Sequence, residues 1–162
     1  MAVDRTMPVT PAVRMLREKG VAFSPRPYSY EEHGGTARAA QELGVDEHTV
    51  IKTLVFQTDQ KQAIVVLMHG DREVSTKELA RILGVKSVVP ADPATAQRLT
   101  GYMVGGISPF GTRSKMPVYA ETSIFSLEKI LINGGKRGFL VEISVSDIEK
   151  LLSVSRITAI QR

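Results

Sequence analysis

The sequence contains no cysteine, which excludes disulfide bonds, thiolate metal sites and a cysteine nucleophile. It has only three histidines, which lie apart in polar stretches and are predicted to be surface residues rather than zinc ligands. No metal or other cofactor is therefore expected. The longest apolar run, residues 63–68, has the length of a strand and is far shorter than the roughly 20 residues that span a bilayer. The N-terminus also lacks the apolar core of a signal peptide, so a cytoplasmic location without a membrane partner is predicted.

The charge imbalance is small, because 21 basic residues stand against 17 acidic ones, for a net charge of +4. This permits an anionic partner such as RNA but does not require one. The 162 residues suffice for one domain that buries a sizeable core. No internal repeat or linker-like stretch divides them, so we predict a flexible N-terminus over residues 1–9 and one domain over residues 10–162.

Local signals predict several helices. The residues suited to N-cap positions are Thr10, Thr36, Ser75 and Asp92. Prolines follow directly after the first and the last of these, where a helix tolerates them, and Ser75 opens a capping box. A final helix is predicted near residues 147–152.

Short apolar segments predict a sheet. Pro25 and Pro27 restrict residues 23–30 to a sheet edge or an extended coil. Strands are predicted at residues 50–57, 62–68, 85–89, 102–104, 118–121, 130–133, 139–143 and 156–160. Helices and strands do not alternate regularly, which disfavours a doubly wound parallel sheet. We therefore predict an α/β fold of the α+β type, a single domain with a mixed, curved sheet and helices packed around it.

Glycines concentrate in two loops, residues 101–111 and 133–138, which hold seven of the 13 glycines. Glycine lets backbone N–H groups approach a ligand closely, as binding a phosphate or an oxyanion requires. Neither loop matches a dinucleotide or Walker A pattern. From glycine content alone, the loops fit tight hairpin turns equally well.

Lys52 interrupts a run that is apolar enough for a buried strand. Strand alternation places it on the same face as Val50, Leu54 and Phe56. Such a lysine either lies at the exposed start of the strand or points into a cavity that receives an anionic ligand.

Basic residues surround the two glycine loops. Those that could contact an RNA backbone are Arg113, Lys115, Lys136 and Arg137. A solvated loop surface is the more common cause of such clustering.

Several blocks of sequence occur together and in order. They are Thr10-Pro11-Ala12-Val13, Lys52-Thr53-Leu54, Ala91-Asp92-Pro93, Thr100-Gly101-Tyr102, Val104-Gly105-Gly106-Ile107-Ser108-Pro109 and Gly134-Gly135-Lys136-Arg137-Gly138. In this order they resemble the YbaK family, which is related to the editing domain inserted in bacterial prolyl-tRNA synthetases. The resemblance covers nearly the whole chain, from about Thr10 to Ile160.

The resemblance implies a barrel-like mixed sheet of six or seven strands with surrounding helices. It also implies hydrolysis of mischarged aminoacyl-tRNA without a metal, with prolyl-tRNA synthetase as a possible partner. The typical substrate in the family is Cys-tRNA(Pro), and sister groups act on Ala-tRNA or on other small amino acids. A catalytically silent module that binds tRNA or a synthetase is a further alternative, although retention of Lys52 and the glycine loop disfavours it.

Site residues carry over position by position. Lys52 matches the hallmark pocket lysine, and the Gly105–Pro109 loop matches the segment that cradles the terminal adenosine and the ester. The expected catalytic residues are Lys52 and Gly105. The expected substrate-binding residues are Tyr28, Thr53, Gly106, Ile107, Ser108, Pro109, Gly134 and Gly135.

Two positions depart from the family pattern. His33-Gly34-Gly35-Thr36 replaces a pocket aromatic of the cysteine-specific members, and Phe139-Leu140-Val141 replaces an acidic or amide residue. Both positions shape the amino-acid pocket, so the chemistry transfers more safely than the substrate. That chemistry is predicted to be substrate-assisted: a cysteine thiol or a bound water attacks the ester, backbone N–H groups of the glycine loop stabilise the oxyanion, and Lys52 holds the adenosine or its phosphate.

Overall fold

The computed structural model describes residues 7–162, so the segment predicted to be flexible, residues 1–9, lies largely outside the described part. The helices are α1 (Pro11–Glu18), α2 (Gly35–Leu43), α3 (Thr76–Leu83), α4 (Pro93–Thr100) and α5 (Ile148–Leu151). The strands are β1 (Ser24–Pro27), β2 (Val50–Thr58), β3 (Ala63–His69), β4 (Val88–Pro90), β5 (Val118–Glu121), β6 (Lys129–Lys136), β7 (Phe139–Ser144) and β8 (Val154–Ile157). None of the helices in this range is both long and apolar enough to cross a membrane.

Side-chain caps explain where three helices begin. The side chains of Thr10, Ser75 and Asp92 each accept a hydrogen bond from the backbone N–H three residues later, at 3.0–3.2 Å. The predicted cap at Thr36 is wrong, because α2 begins one residue earlier and Gly34 is its N-cap. The Thr36 hydroxyl instead donates to the Glu47 carboxylate at 2.7 Å, a stronger acceptor from another part of the chain.

The strands form one sheet in the order β1-β7-β6-β2-β3-β5-β8, and β4 pairs with a second stretch of β2. The β2–β6, β3–β5 and β5–β8 pairs are parallel, and the other pairs are antiparallel. The predicted mixed sheet in a single α/β domain is confirmed.

The expectation of a barrel-like sheet with six or seven strands is wrong in its details, since the described part has eight strands and the sheet is not closed. The Tyr28 N–H donates to the Gly138 carbonyl at 2.9 Å, so strand alternation turns Pro25 and Pro27 to the outer side of β1. Neither proline has an N–H, and this side therefore cannot donate to another strand. β1 ends the sheet for this reason.

Residues 102–104 form a loop, so the strand predicted there is wrong. Tyr102 is buried, and its hydroxyl donates to the Phe110 carbonyl at 2.5 Å, while the Gly106 N–H donates to the Met103 carbonyl at 2.8 Å. These bonds fold the segment onto itself and leave Met103 and Val104 exposed. Two other predicted strands are displaced by a few residues: the one at 85–89 is β4, and the one at 156–160 is β8.

Apolar residues of β3 alternate between two cores. Val65 and Leu67 pack with α1, whereas Ile64, Val66 and Met68 pack with α3 on the other face of the sheet. A third, smaller cluster joins α2 to β2, β6 and β7. This cluster lies beside the part of β2 that carries Lys52.

Candidate active site

The outer edge of β2 is only partly paired. On one side β2 pairs with β3 throughout Ile51–Gln57. On the other side it pairs with β6 at Val50 and Ile51 and with β4 from Phe56 onward. Residues 52–54 therefore have no strand partner on this side, and the sheet is split there.

Thr53 lies in the middle of this split. The Val55 carbonyl faces the split side, because it accepts a hydrogen bond from the Ala91 N–H at 2.9 Å. Backbone groups alternate along a strand, so the N–H and C=O of Thr53, two residues earlier, face the same side. The Thr53 hydroxyl oxygen is buried and has no hydrogen-bond partner within the described residues. An unsatisfied buried hydroxyl is rare, and a ligand in the split would provide its missing partner.

The split opens into a cleft of about 720 Å³, a volume typical of small-molecule sites. Residues from separate parts of the chain line it. They are Tyr28 and Tyr30 after β1; Glu32, His33, Gly35, Thr36 and Ala39 around the start of α2; residues 50–56 of β2; Glu73; Pro90, Ala91, Pro93 and Ala96 before and in α4; Val104, Gly105 and Ile107; and Asn133, Arg137 and Leu140. Among the residues expected to form the site, Lys52, Thr53, Tyr28, Gly105, Ile107 and Arg137 meet here.

The Lys52 side chain lies in this cleft and is only 16% exposed. Its Nζ lies 3.1 Å from Oε1 of Glu73, a residue that also lines the cleft. The sequence allowed Lys52 to lie either at the exposed start of the strand or in a cavity, and in the structure its side chain lies in a cavity.

Two residues of the Gly105–Pro109 loop, Gly105 and Ile107, line the cleft and have backbone N–H groups without a hydrogen-bond acceptor in the described part of the chain. The other loop residues, Gly106, Ser108 and Pro109, do not line it. Gly106 donates to Met103, Ser108 is fully buried, and Pro109 has no N–H.

Tyr30 holds Gly105 in place. Gly105 has a φ of +93°, and a Cβ atom there would lie 2.6 Å from the Tyr30 hydroxyl oxygen. The Arg137 guanidinium lies 5.2 Å from the centre of the Tyr30 ring, and its Nε donates to the Val104 carbonyl at 2.9 Å. Tyr30 was not predicted from sequence.

Asn133 ties the β6–β7 turn to the same loop. Its Oδ1 accepts from the N–H groups of Gly135 and Lys136 at 2.7 and 3.1 Å, and its Nδ2 donates to the Gly105 carbonyl at 3.3 Å. Gly134 and Gly135 belong to the irregular end of β6, where the pairing with β7 shifts register, and do not line the cleft. Asn133 was not among the predicted site residues, although an asparagine before two glycines is a known turn signal that could have indicated its role.

The expected RNA-contacting residues do not all line the same cavity, since Arg137 lines the cleft and the other three do not. Arg113 lies in a separate groove of about 390 Å³ that also contains Arg98. Neither arginine has an ion-pair partner within residues 7–162. Lys115 and Lys136 are exposed outside both cavities. The groove lies along α4, a helix that also contributes to the cleft.

Two tyrosines, Tyr28 in the cleft and Tyr102 near the Gly105 loop, have raised pKa values. Burial, reinforced by the neighbouring Tyr30, raises the pKa of Tyr28. Burial also raises the pKa of Tyr102 to about 12. Both phenols therefore remain protonated at neutral pH and act as hydrogen-bond donors rather than bases.

His48, His69 and Asp71 form the one group in the described range whose side chains could meet at a metal ion. None of them lines the cleft. His69 is fully buried, which corrects its prediction as a surface residue, and both its ring nitrogens are in use: Nδ1 lies 2.8 Å from the His48 carbonyl and Nε2 lies 2.7 Å from Ser123 Oγ. Burial lowers the pKa of His69.

A family model described as an aminoacyl-tRNA editing domain matches residues 31–151, which include β2, the Gly105 loop and the β6–β7 turn. The chain belongs to this family. The resemblance inferred from the sequence motifs is confirmed.

Individual proteins that are similar to this chain include further editing proteins and prolyl-tRNA synthetases. EbsC of Enterococcus faecalis, named as a candidate Cys-tRNA(Pro)/Cys-tRNA(Cys) deacylase, is 29% identical over 152 residues, which is 93% of each chain. A proline–tRNA ligase of Desulforamulus reducens is 30% identical over 127 residues, which is 78% of this chain and 21% of the ligase. The structure of a candidate trans-editing enzyme for prolyl-tRNA synthetase superposes with a TM-score of 0.80 over 96% of this chain and 100% of that one. At 20% identity, this last likeness supports the fold alone.

Proposed function

We propose that this editing domain is a stand-alone enzyme that hydrolyses the ester bond of mischarged aminoacyl-tRNA, with Cys-tRNA(Pro) as the substrate. The observation that carries the proposal is the convergence of Lys52, the open edge of β2 at Thr53 and the Gly105 loop on one cleft. These groups offer a ligand a cation, a buried hydroxyl and free backbone groups. No cysteine or serine is among the residues that line the cleft.

The pocket wall beside α2 favours a small apolar side chain. Tyr28, Ala39, Val50 and Leu140 line this end of the cleft and pack in one apolar cluster. Leu140 stands in the segment where family members often have an acidic or amide residue. A thiol behaves as a small apolar group, so cysteine fits such a wall. The name of the relative EbsC supports the same amino acid.

The ester is held by groups that need not react themselves. The N–H groups of Gly105 and Ile107 stabilise the oxyanion that forms on the carbonyl oxygen. The ammonium group of Lys52 fixes the terminal adenosine or its phosphate. Thr53 hydrogen-bonds the bound aminoacyl group through its hydroxyl, which is otherwise unsatisfied.

The substrate supplies the nucleophile. The thiol of the esterified cysteine loses its proton and attacks its own carbonyl carbon, so that a C–S bond forms while the C–O bond to the ribose breaks, and the ribose oxygen takes up a proton. Water then opens the resulting cyclic thioester, and free cysteine is released. A thiol pKa of about 8.5 leaves a few per cent of thiolate at neutral pH. This route requires no metal, so we expect activity that is independent of metal ions.

The RNA strand leaves the cleft along α4. Arg113, together with Arg98 in its groove, contacts backbone phosphates there. Lys115 and Lys136 extend the basic surface outside the two cavities. Arg137 has a second role beside RNA contact, because its Nε already holds the loop at Val104. Prolyl-tRNA synthetase is a possible partner that would present the tRNA.

Ala-tRNA(Pro) is the second candidate substrate, because the apolar wall accepts a methyl group as readily as a thiol. Alanine has no nucleophilic side chain, so a water held in the cleft would have to attack. A catalytically silent module that binds tRNA or a synthetase is the third alternative.

Single-turnover deacylation separates these alternatives. The substrates are tRNA(Pro) charged with cysteine, serine or alanine, each with and without prolyl-tRNA synthetase. We expect Cys-tRNA to be cleaved much faster than Ser-tRNA, although the two side chains differ by one atom. Equal rates, or faster removal of alanine, would favour attack by water, and no cleavage of any substrate would favour the silent module.

Lys52→Ala tests the cleft itself. We expect this variant to lose most of the activity while its thermal unfolding remains cooperative. Lys150→Ala is the matched control, since Lys150 also forms a lysine–carboxylate pair, at 3.2 Å to Asp147, but lies outside the cleft. Full activity in Lys52→Ala would show that the cleft is not the catalytic site.

A further inference from the structure

The proposed substrate brings a further positive charge into the cleft. Lys52 and Arg137 line it, and an aminoacyl ester brings a protonated α-amine of its own. Like charges repel one another, so a carboxylate nearby would stabilise the bound α-ammonium group. Two carboxylates line the cleft, Glu32 and Glu73.

Glu73 is the carboxylate that lies next to the proposed catalytic groups. Its Oε1 lies 3.1 Å from Lys52 Nζ, and the rest of its side chain is open, with 75% exposed. Its backbone is held on both sides, because the Gln161 N–H donates to the Glu73 carbonyl at 2.8 Å and Val74 forms a bridge with Ile160.

Glu32 is placed differently, although its side chain is equally exposed at 77%. It lies in the turn before α2, and its carboxylate approaches the His33 ring, at 3.9 Å from Nε2. It does not contact Lys52.

We infer that Glu73 binds the α-ammonium group of the esterified amino acid and thereby selects substrates with a free amine. The inference rests on the proposed deacylase function. Lys52 holds one carboxylate oxygen, and the other oxygen accepts from the ammonium group. An N-acylated ester, such as peptidyl-tRNA or formylated aminoacyl-tRNA, has no positive charge here and keeps one amide N–H in place of the three donors of the ammonium group. The site therefore does not cleave growing peptides from tRNA, and it cleaves only esters of single amino acids whose α-amine is free.

The test compares one aminoacyl-tRNA with its N-acetylated form in single-turnover deacylation. We expect the wild-type protein to prefer the free amine by about tenfold or more, the effect of a hydrogen bond to a charged group. In Glu73→Gln this ratio falls toward one, chiefly through a slower reaction of the free amine. Glu32→Gln, the matched control, keeps the wild-type ratio.

Dependence on pH gives a second readout. An α-amino group loses its proton near pH 8, so the wild-type preference should decline above that pH, while the ratio in Glu73→Gln stays flat. The inference is overturned if Glu73→Gln keeps the preference, or if both substrates change by the same factor, which would mean that Glu73 only neutralises or positions Lys52. Failure of the wild-type protein to cleave either substrate would instead refute the proposed function.

Discussion

Replacing Gly105 by alanine tests whether close contact with Tyr30 positions the backbone donors of the cleft. The φ of +93° is unfavourable for an alanine and costs about 1–3 kcal/mol. The new Cβ would lie 2.6 Å from the Tyr30 hydroxyl oxygen and 3.2 Å from the nearest ring carbons. Such overpacking costs a further 1–3 kcal/mol or so. We therefore expect Gly105→Ala to lower the free energy of unfolding by roughly 2–6 kcal/mol.

The same change should reduce catalysis more than stability alone explains. If the loop moves to relieve the contact, the Gly105 and Ile107 N–H groups leave their positions, and loss of one oxyanion donor typically lowers the rate about 100–1,000-fold. Tyr30→Phe removes the hydroxyl oxygen and should restore part of both losses in the double variant. The measurements are urea unfolding and single-turnover deacylation under conditions where every variant is folded.

Gly20→Ala is the matched control. Gly20 has a φ of +66°, but a Cβ atom there would meet no atom within 4 Å, so only the backbone cost of about 1–2 kcal/mol is expected and activity should be unchanged. Activity of Gly105→Ala within twofold of wild type would refute the role of this loop. A double variant no better than Gly105→Ala would refute the contact with Tyr30 as the cause.

Three further predictions concern RNA contact, metal ions and pH. Arg98→Gln combined with Arg113→Gln should reduce the slope of log affinity for tRNA against log salt concentration by about one for each lost phosphate contact. The same changes at the exposed Arg14 and Arg17 should leave this slope unaltered. An unchanged slope in the Arg98/Arg113 variant would mean that the RNA binds elsewhere. Exhaustive chelation should leave deacylation intact, and loss of activity that zinc or magnesium restores would contradict the proposed chemistry. Burial lowers the pKa of His69 in the folded state, so the unfolded state takes up a proton first as the pH falls. The contribution of the neutral, buried His69 to folding stability should therefore be complete above about pH 6.5 and should decline below it. Urea unfolding from pH 8 to pH 5 should show this decline, and a His69→Asn variant with the same pH dependence would show that another group causes it.

Local chemistry alone determined several parts of this protein. The caps at Thr10, Ser75 and Asp92 depend on hydrogen bonds three residues away, so sequence motifs predicted them correctly. Pro25 and Pro27 marked an edge strand because a missing N–H has the same consequence in any fold. The ordered motifs also identified the editing-domain family, since each contains residues with special backbone or charge requirements.

Local signals were misleading where a distant partner decided the outcome. The apolar residues 102–104 predicted a strand, but Tyr102 is buried against Phe110 and the segment folds into a loop. Thr36 was predicted as a cap, but Glu47 took its hydroxyl. In both cases a contact outside the local motif, 8 and 11 residues along the chain, outweighed a weak local preference.

The site itself was decided by the tertiary structure. The open edge at Thr53 exists because β6 pairs with only the start of β2 and β4 with only its end, and these strands lie far apart in sequence. Contacts of Gly105 with Tyr30 and Asn133, and of Lys52 with Glu73, likewise join separate segments. Sequence motifs named Lys52 and the glycine loop because their residue types are unusual where they stand. They could not show which neighbours meet them, because strand pairing over long separations depends on how the whole chain packs.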